Sequence, residues 1–189
     1  MHLNSRLIFE KHARRLFRDG LRVLEIGPNK FPSTYQEIVG NATITWETLD
    51  IFECDNLTYV AANEYEFPIP DETFDIVLSG QVIEHVRKIW IWMKELSRVC
   101  KRGGRVVTVN PVSWRYHEAP IDCWRIYPEG MKALYEDAGL ETSMSKCESL
   151  EPLPFSTWSF IRAVSKSLFG RRRSYQWPVA DTISIGVKQ

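Results

Sequence analysis

The run Arg22-Val23-Leu24-Glu25-Ile26-Gly27-Pro28-Asn29 joins an apolar stretch to an acid and then a glycine, the pattern of a buried strand that feeds a tight turn against a bound ligand. Thr48-Leu49-Asp50 ends a second run in an acid as well. An acid closing a neighbouring strand is placed to accept hydrogen bonds from both hydroxyls of a ribose, so the two runs point to a nucleoside-bearing cofactor.

A pyrophosphate would need Gly-x-Gly-x-x-Gly at a helix N-terminus, whereas Gly27 is followed by Pro28, Asn29 and Lys30. Glu25 would also repel a phosphate and favour a cation. S-adenosylmethionine meets both demands, with a ribose, a positive sulfonium and no phosphate. In so short a turn Asn29 is expected in the left-handed region, which Asn tolerates, and Lys30 suits a cationic cofactor only if it points outward.

Residues 110–125, NPVSWRYHEAPIDCWR, crowd together groups that hydrogen-bond, stack or take a proton. His117 is the candidate general base, because imidazole titrates near neutral pH. Asp122 either orients it or binds an acceptor hydroxyl. Arg125 suits a carboxylate or phosphate, and Trp114, Tyr116 and Trp124 suit stacking on a sugar or ring. The structural alternative is a buried Asp122–Arg125 pair with Trp124 in the core. Glu84 and His85 are read as opening a long helix, Glu84 favouring its N-terminal dipole and His85 packing, rather than as catalytic groups.

Elements that position these residues alternate between strand and helix through the first three quarters, which predicts a mostly parallel α/β sheet. Strands are expected over 21–26, 43–49, 57–61, 74–78, 105–109, 141–147 and 182–187, the fifth after the Gly103-Gly104 pair. A helix over 5–18 stops at Gly20, a second carries the apolar stripe Val86, Ile89, Trp90, Met93, Leu96, Val99 and Cys100, and a third over 128–138 is opened by Pro128 and closed by Gly139. Residues 150–180 are expected to form a helical insertion; its basic residues within 162–173 fit a helix covering the acceptor pocket, with an anionic lipid surface or phosphates as alternatives.

A length of 189 residues suits one domain. Lysines and arginines balance acids at 24 each, so no overall field favours nucleic acid. Cys54, Cys100, Cys123 and Cys147 form no Cys-x-x-Cys pair, which suggests neither a zinc nor a redox site; no metal is expected. The N-terminal pattern is not that of a signal peptide, and no apolar run is long enough to span a bilayer, so the expected location is the cytoplasm.

With these motifs in order, the chain resembles the class I S-adenosylmethionine-dependent methyltransferases, in particular the methyltransferase domain 11 group, over residues 23–140. The resemblance rests on Val23 to Pro28, on Leu49-Asp50, on FPIPDETFDIVLSGQVIEHV at 67–86 and on LSRVCKRGGRV at 96–106. It implies a Rossmann-like, seven-stranded, mostly parallel sheet with helices on both faces and an antiparallel last strand. It implies further that Glu25, Gly27 and Pro28 lie by the methionine part of the cofactor, that Asp50 binds the ribose with Ile51 on the adenine, that Asn63 or Glu64 meets the adenine edge, and that Ser79, Gly80 and Gln81 face the methyl. The His117-x-x-Pro120-x-Asp122-x-Trp124-Arg125 stretch is similar to that of group members acting on glycans and other small molecules, so the expected reaction is methylation of a small-molecule oxygen, plausibly on a sugar. A methyltransferase of RNA or protein, and a non-catalytic cofactor-binding scaffold or sensor, are the alternatives.

Overall fold

Among the residues described by the computed structural model, 2–118, 120–151 and 179–189, seven strands form one sheet in the order β3-β2-β1-β4-β5-β7-β6. They are β1 (Arg22–Ile26), β2 (Thr45–Asp50), β3 (Tyr59–Val60), β4 (Phe74–Gly80), β5 (Cys100–Pro111), β6 (Leu140–Glu148) and β7 (Asp181–Lys188). Only β7 opposes its neighbours, pairing antiparallel with β5 and β6, as the resemblance implies. The insertion expected over 150–180 and the basic residues within 162–173 fall outside the described residues, apart from its two ends.

Helices cover both faces because the strand residues alternate. Leu24 and Ile26 of β1 pack into a core with α3 (Ile89–Val99) and α4 (Pro128–Asp137), while Val23 packs on the other face with α1 (Leu3–His12) and α2 (Thr34–Val39). Chain order reverses beside β1, since β2 and β3 add to one side and β4 to the other. A crevice at the carboxyl ends of such strands is where an open α/β sheet binds its ligand.

Three local readings need correction. Helix α2 was not expected; its Ser33 N-cap accepts a hydrogen bond from the Gln36 amide, and Gly40 ends it at φ 61°. The long helix begins at Ile89, not near Val86, and Ile83–His85 forms a separate 3₁₀ turn. Its stripe is core as expected except for Trp90, which is 45% exposed. Strand β5 runs straight out of α3 and takes in the glycine pair: a Cβ on Gly104 would stand 2.9 Å from the Asp75 carbonyl, close to the register shift between Phe74 and Ile76.

Candidate active site

A cavity of about 280 Å³ lies at the carboxyl ends of β1, β2 and β4, lined among others by Gly27, Asp50, Ile51, Glu64, Gln81 and His85. Gly27 makes the turn out of β1 at φ 69°, its amide donating to the Leu49 carbonyl at 2.9 Å, and a Cβ there would meet the Val82 side chain at 2.5 Å. Asp50 presents its carboxylate at the end of β2, with Oδ1 held by the amides of Ile51 and Phe52 at 2.7 and 3.1 Å. Exposed Phe52 and buried Phe67 and Trp92 complete an apolar slot suited to a flat ring; none of them carried a sequence signal for binding.

Several residues expected at the cofactor do not line this cavity. Glu25 is 1% exposed on the opposite face of β1, where it accepts hydrogen bonds from the Ser33 hydroxyl and from Trp46 Nε1, and burial pushes its pKa up to about 7. It ties the α2 cap and β2 to β1. Pro28, Asn63, Ser79 and Gly80 are not among the cavity-lining residues. Asn63 spends its Oδ1 on the Tyr65 amide, which leaves Glu64 facing the cavity. Gly80 packs so closely on Tyr35 that any Cβ would overlap its ring. Asn29 is not left-handed; its amide side chain bonds Thr34 at the start of α2, and the positive φ of this turn falls on Gly27, at 69°. Lys30 points outward to Glu37.

A second cavity, of about 370 Å³, is lined by His2, Gln81, Glu84, His85, Trp114 and His117. Gln81 and His85 line both cavities, so the two share a wall. Backbone and ring bonds tie residues 121–124 to the 3₁₀ turn: the Cys123 amide donates to the Glu84 carbonyl at 2.7 Å, Trp124 Nε1 to the Val86 carbonyl at 2.9 Å, and His85 Nδ1 to the Ile121 carbonyl.

His117 and Asp122 come together as expected. His117 Nδ1 is 3.2 Å from Asp122 Oδ2, which also accepts the His117 amide at 2.8 Å. Arg125 grips both oxygens of the buried Asp122 carboxylate at 2.5 and 2.7 Å and holds it well below the usual carboxylate range. The same guanidinium bonds the carbonyls of Trp114, Arg115 and Trp124. Arg125 therefore organises the loop, and the structural alternative holds for it. Of the proposed stacking residues, Trp114 lines the second cavity and stacks on His2 at 4.8 Å, and all three, Trp114, Tyr116 and Trp124, line a further hollow of about 270 Å³ with Arg125. Trp124 also packs against the main core.

Glu84 was misread from sequence. It does not open α3; it is 1% exposed in the 3₁₀ turn, its Oε2 has no hydrogen-bond partner among the described residues, and burial pushes its pKa up to about 8. His85 stands beside it, with its ring edge-on to His117 at 5.0 Å. His2 also lines this cavity, is joined to the buried Asp181 at 3.2 Å, and carried no sequence signal.

A family model described as a methyltransferase domain matches residues 39–108. A ubiquinone/menaquinone biosynthesis C-methyltransferase of Agrobacterium fabrum is 44% identical over 104 residues, covering 53% of this chain and 39% of that protein. A counterpart in Rhizobium rhizogenes is 34% identical, covering 62% and 46%, so the chain spans less than half the length of these curated relatives. Among solved structures, a SAM-dependent methyltransferase from Archaeoglobus fulgidus superposes with TM-score 0.63 at 20% identity over 97% of this chain and 94% of that one. The strand order, the Gly27 turn, the acid ending β2 and these matches agree: the chain has the fold of the class I S-adenosylmethionine-dependent methyltransferases and is similar to them in sequence over the matched residues.

Proposed function

We propose that the chain transfers the methyl of S-adenosylmethionine to a small molecule that carries an ionisable hydroxyl. The observation that carries this reading is the shared wall, since Gln81 and His85 border both the slot that ends at Asp50 and the cavity that holds His117. Transfer is an in-line displacement in which the C–S bond breaks as the new bond forms, so positioning and exclusion of water do much of the work. A carbonyl oxygen can only accept, so His117 Nδ1 donates to Asp122 and to the Arg115 carbonyl, and Nε2 is left as the proton acceptor. Removing the hydroxyl proton activates the oxygen itself and, in a phenol or enol, the carbon next to the one that bears it.

That chemistry reconciles the oxygen acceptor expected from the loop with relatives named as C-methyltransferases. A sugar acceptor has no support in these comparisons. The scaffold alternative loses its motive, because Gly27 alone supplies the turn. No helix among the described residues is long and apolar enough to cross a membrane, and we place the reaction in the cytoplasm. Calorimetric titration with S-adenosylmethionine and S-adenosylhomocysteine tests the reading. Binding should weaken by about 1.5–3 kcal/mol in Asp50→Ala, the worth of a charged hydrogen bond, and unchanged affinity would remove Asp50 from the site.

A further inference from the structure

The side-chain ligand atoms of Glu84, His85 and His117 lie within 4.8 Å of one another. They come from two segments whose relative position is fixed by the bonds from Cys123 and Trp124 to the 3₁₀ turn. Both rings are committed through Nδ1, His85 to the Ile121 carbonyl and His117 to Asp122 and the Arg115 carbonyl. Each Nε2 therefore keeps its lone pair, in the tautomer and with the kind of outer partner that orient a metal-binding imidazole.

Glu84 is an independent sign of a missing partner. It is buried, its Oε2 is unpaired among the described residues, and the residue lines the cavity that His85 and His117 also line. A buried carboxylate without a counter-charge is unfavourable, and a bound cation would supply one.

We propose that Glu84, His85 and His117 bind one divalent transition-metal ion of the zinc type at the wall shared by the two cavities. Two imidazoles and a carboxylate are the ligand set of open zinc sites, where a water or substrate oxygen takes the next position. Magnesium, which prefers oxygen ligands, matches the set poorly. Ligands about 2.0–2.2 Å from an ion sit roughly 3.3–3.6 Å apart in a tetrahedron. His85 Nε2 and Glu84 Oε1 are already 3.8 Å apart, and the His117 side chain, 35% exposed, has room to close the remainder.

This inference deepens the methyltransferase reading and rests on it. The open position would face the acceptor cavity, so the ion would bind the acceptor hydroxyl and ionise it, the proton leaving to solvent. The oxygen, or the carbon it activates, then takes the methyl, and S-adenosylhomocysteine departs. His117 would serve as a ligand in place of a base.

The test uses the full chain stripped of metal with a chelator, then titrated with Zn²⁺ by calorimetry and with Co²⁺ by visible absorption, alongside S-adenosylmethionine. The expected result is one ion per chain, with affinity lower by about 10–100-fold or more in both His117→Ala and Glu84→Gln, while both variants still bind S-adenosylmethionine. No ion bound by the unmodified chain, or binding that both variants retain, overturns the metal site. Cofactor binding by that same unmodified chain separates the two readings: its presence leaves the methyltransferase reading standing without the metal, and its absence counts against that reading itself.

Discussion

The two cavities that meet at Gln81 and His85 are held in opposite ways. The cofactor wall is largely backbone and apolar surface: the Gly27 turn, the end of β2, and Asp50 held by the amides of the next two residues. The acceptor wall is a net of polar side chains in one loop, with Asp122 at its centre joining His117 and Arg125, and that loop is tied to the 3₁₀ turn more than thirty residues earlier. Short-range geometry depends on a few residues in sequence, whereas a buried network stands or falls as a unit. The division allows the acceptor loop to vary over a fixed cofactor slot, as expected of functional loops on a rigid scaffold.

Gly27→Val gives the largest effect and strikes the cofactor wall alone. A β-branched residue at φ 69° is strained, and its Cβ would overlap Val82, itself a wall of the slot. Affinity for S-adenosylmethionine should fall on the order of 1000-fold, about 4 kcal/mol. Gly20→Ala is the control, because Gly20 has φ 74° with nothing within 4 Å of its Cβ. It should lower thermal stability slightly and leave cofactor affinity intact. Equal losses in both variants would mean that backbone strain, and not the shape of the slot, decides binding.

The same division explains what the sequence made legible. Gly27 and Asp50 could be read because strand, turn and acid lie within a few residues of each other. Helix α2 also has a local signal, the Ser33-x-x-Gln36 spacing of a capping box. Glu84 and His85 were assigned to α3 on periodicity, but their environment is set by Ile121 and Cys123, more than thirty residues away. Glu25 was placed by analogy at the cofactor. Alternation along β1 sends it to the other face, and only the position of Trp46 on the next strand shows what it does there.

Beneath the cofactor wall, Glu25 supplies a pH-dependent test. Burial raises its pKa from 4.5 to about 7 in the fold. The folded state therefore holds the proton more tightly than the unfolded chain, and the stabilisation present below pH 4.5 is lost as pH rises to about 7, on the order of 3 kcal/mol at most. Glu25→Gln keeps the shape and an oxygen that can accept from Ser33 and Trp46. Thermal melts at pH 5 and pH 8 should show the variant less sensitive to this rise than the parent. Identical pH profiles would show that Glu25 stays ionised, and that its two donors alone offset its burial.

Asp122→Asn asks whether the acceptor net can fail without the slot. The amide fills the same space and keeps one oxygen that can accept, but it removes the charge that both His117 and Arg125 use and breaks the two-oxygen grip of Arg125. Arg125 retains 23% side-chain exposure, so water can recover part of its solvation. The expected loss of stability is about 2 kcal/mol, nearer the worth of a charged hydrogen bond than that of breaking a fully buried pair. Turnover of any acceptor should fall with it, since His117 loses the group that fixes its tautomer. S-adenosylmethionine should bind the folded variant as tightly as the parent, because no residue that lines the slot bonds to Asp122. A parallel loss of cofactor affinity would show that Pro120 and His85, which border the slot, carry the loop's disorder into it. The two walls would then be one structure, and acceptor choice could not change without cost to cofactor binding.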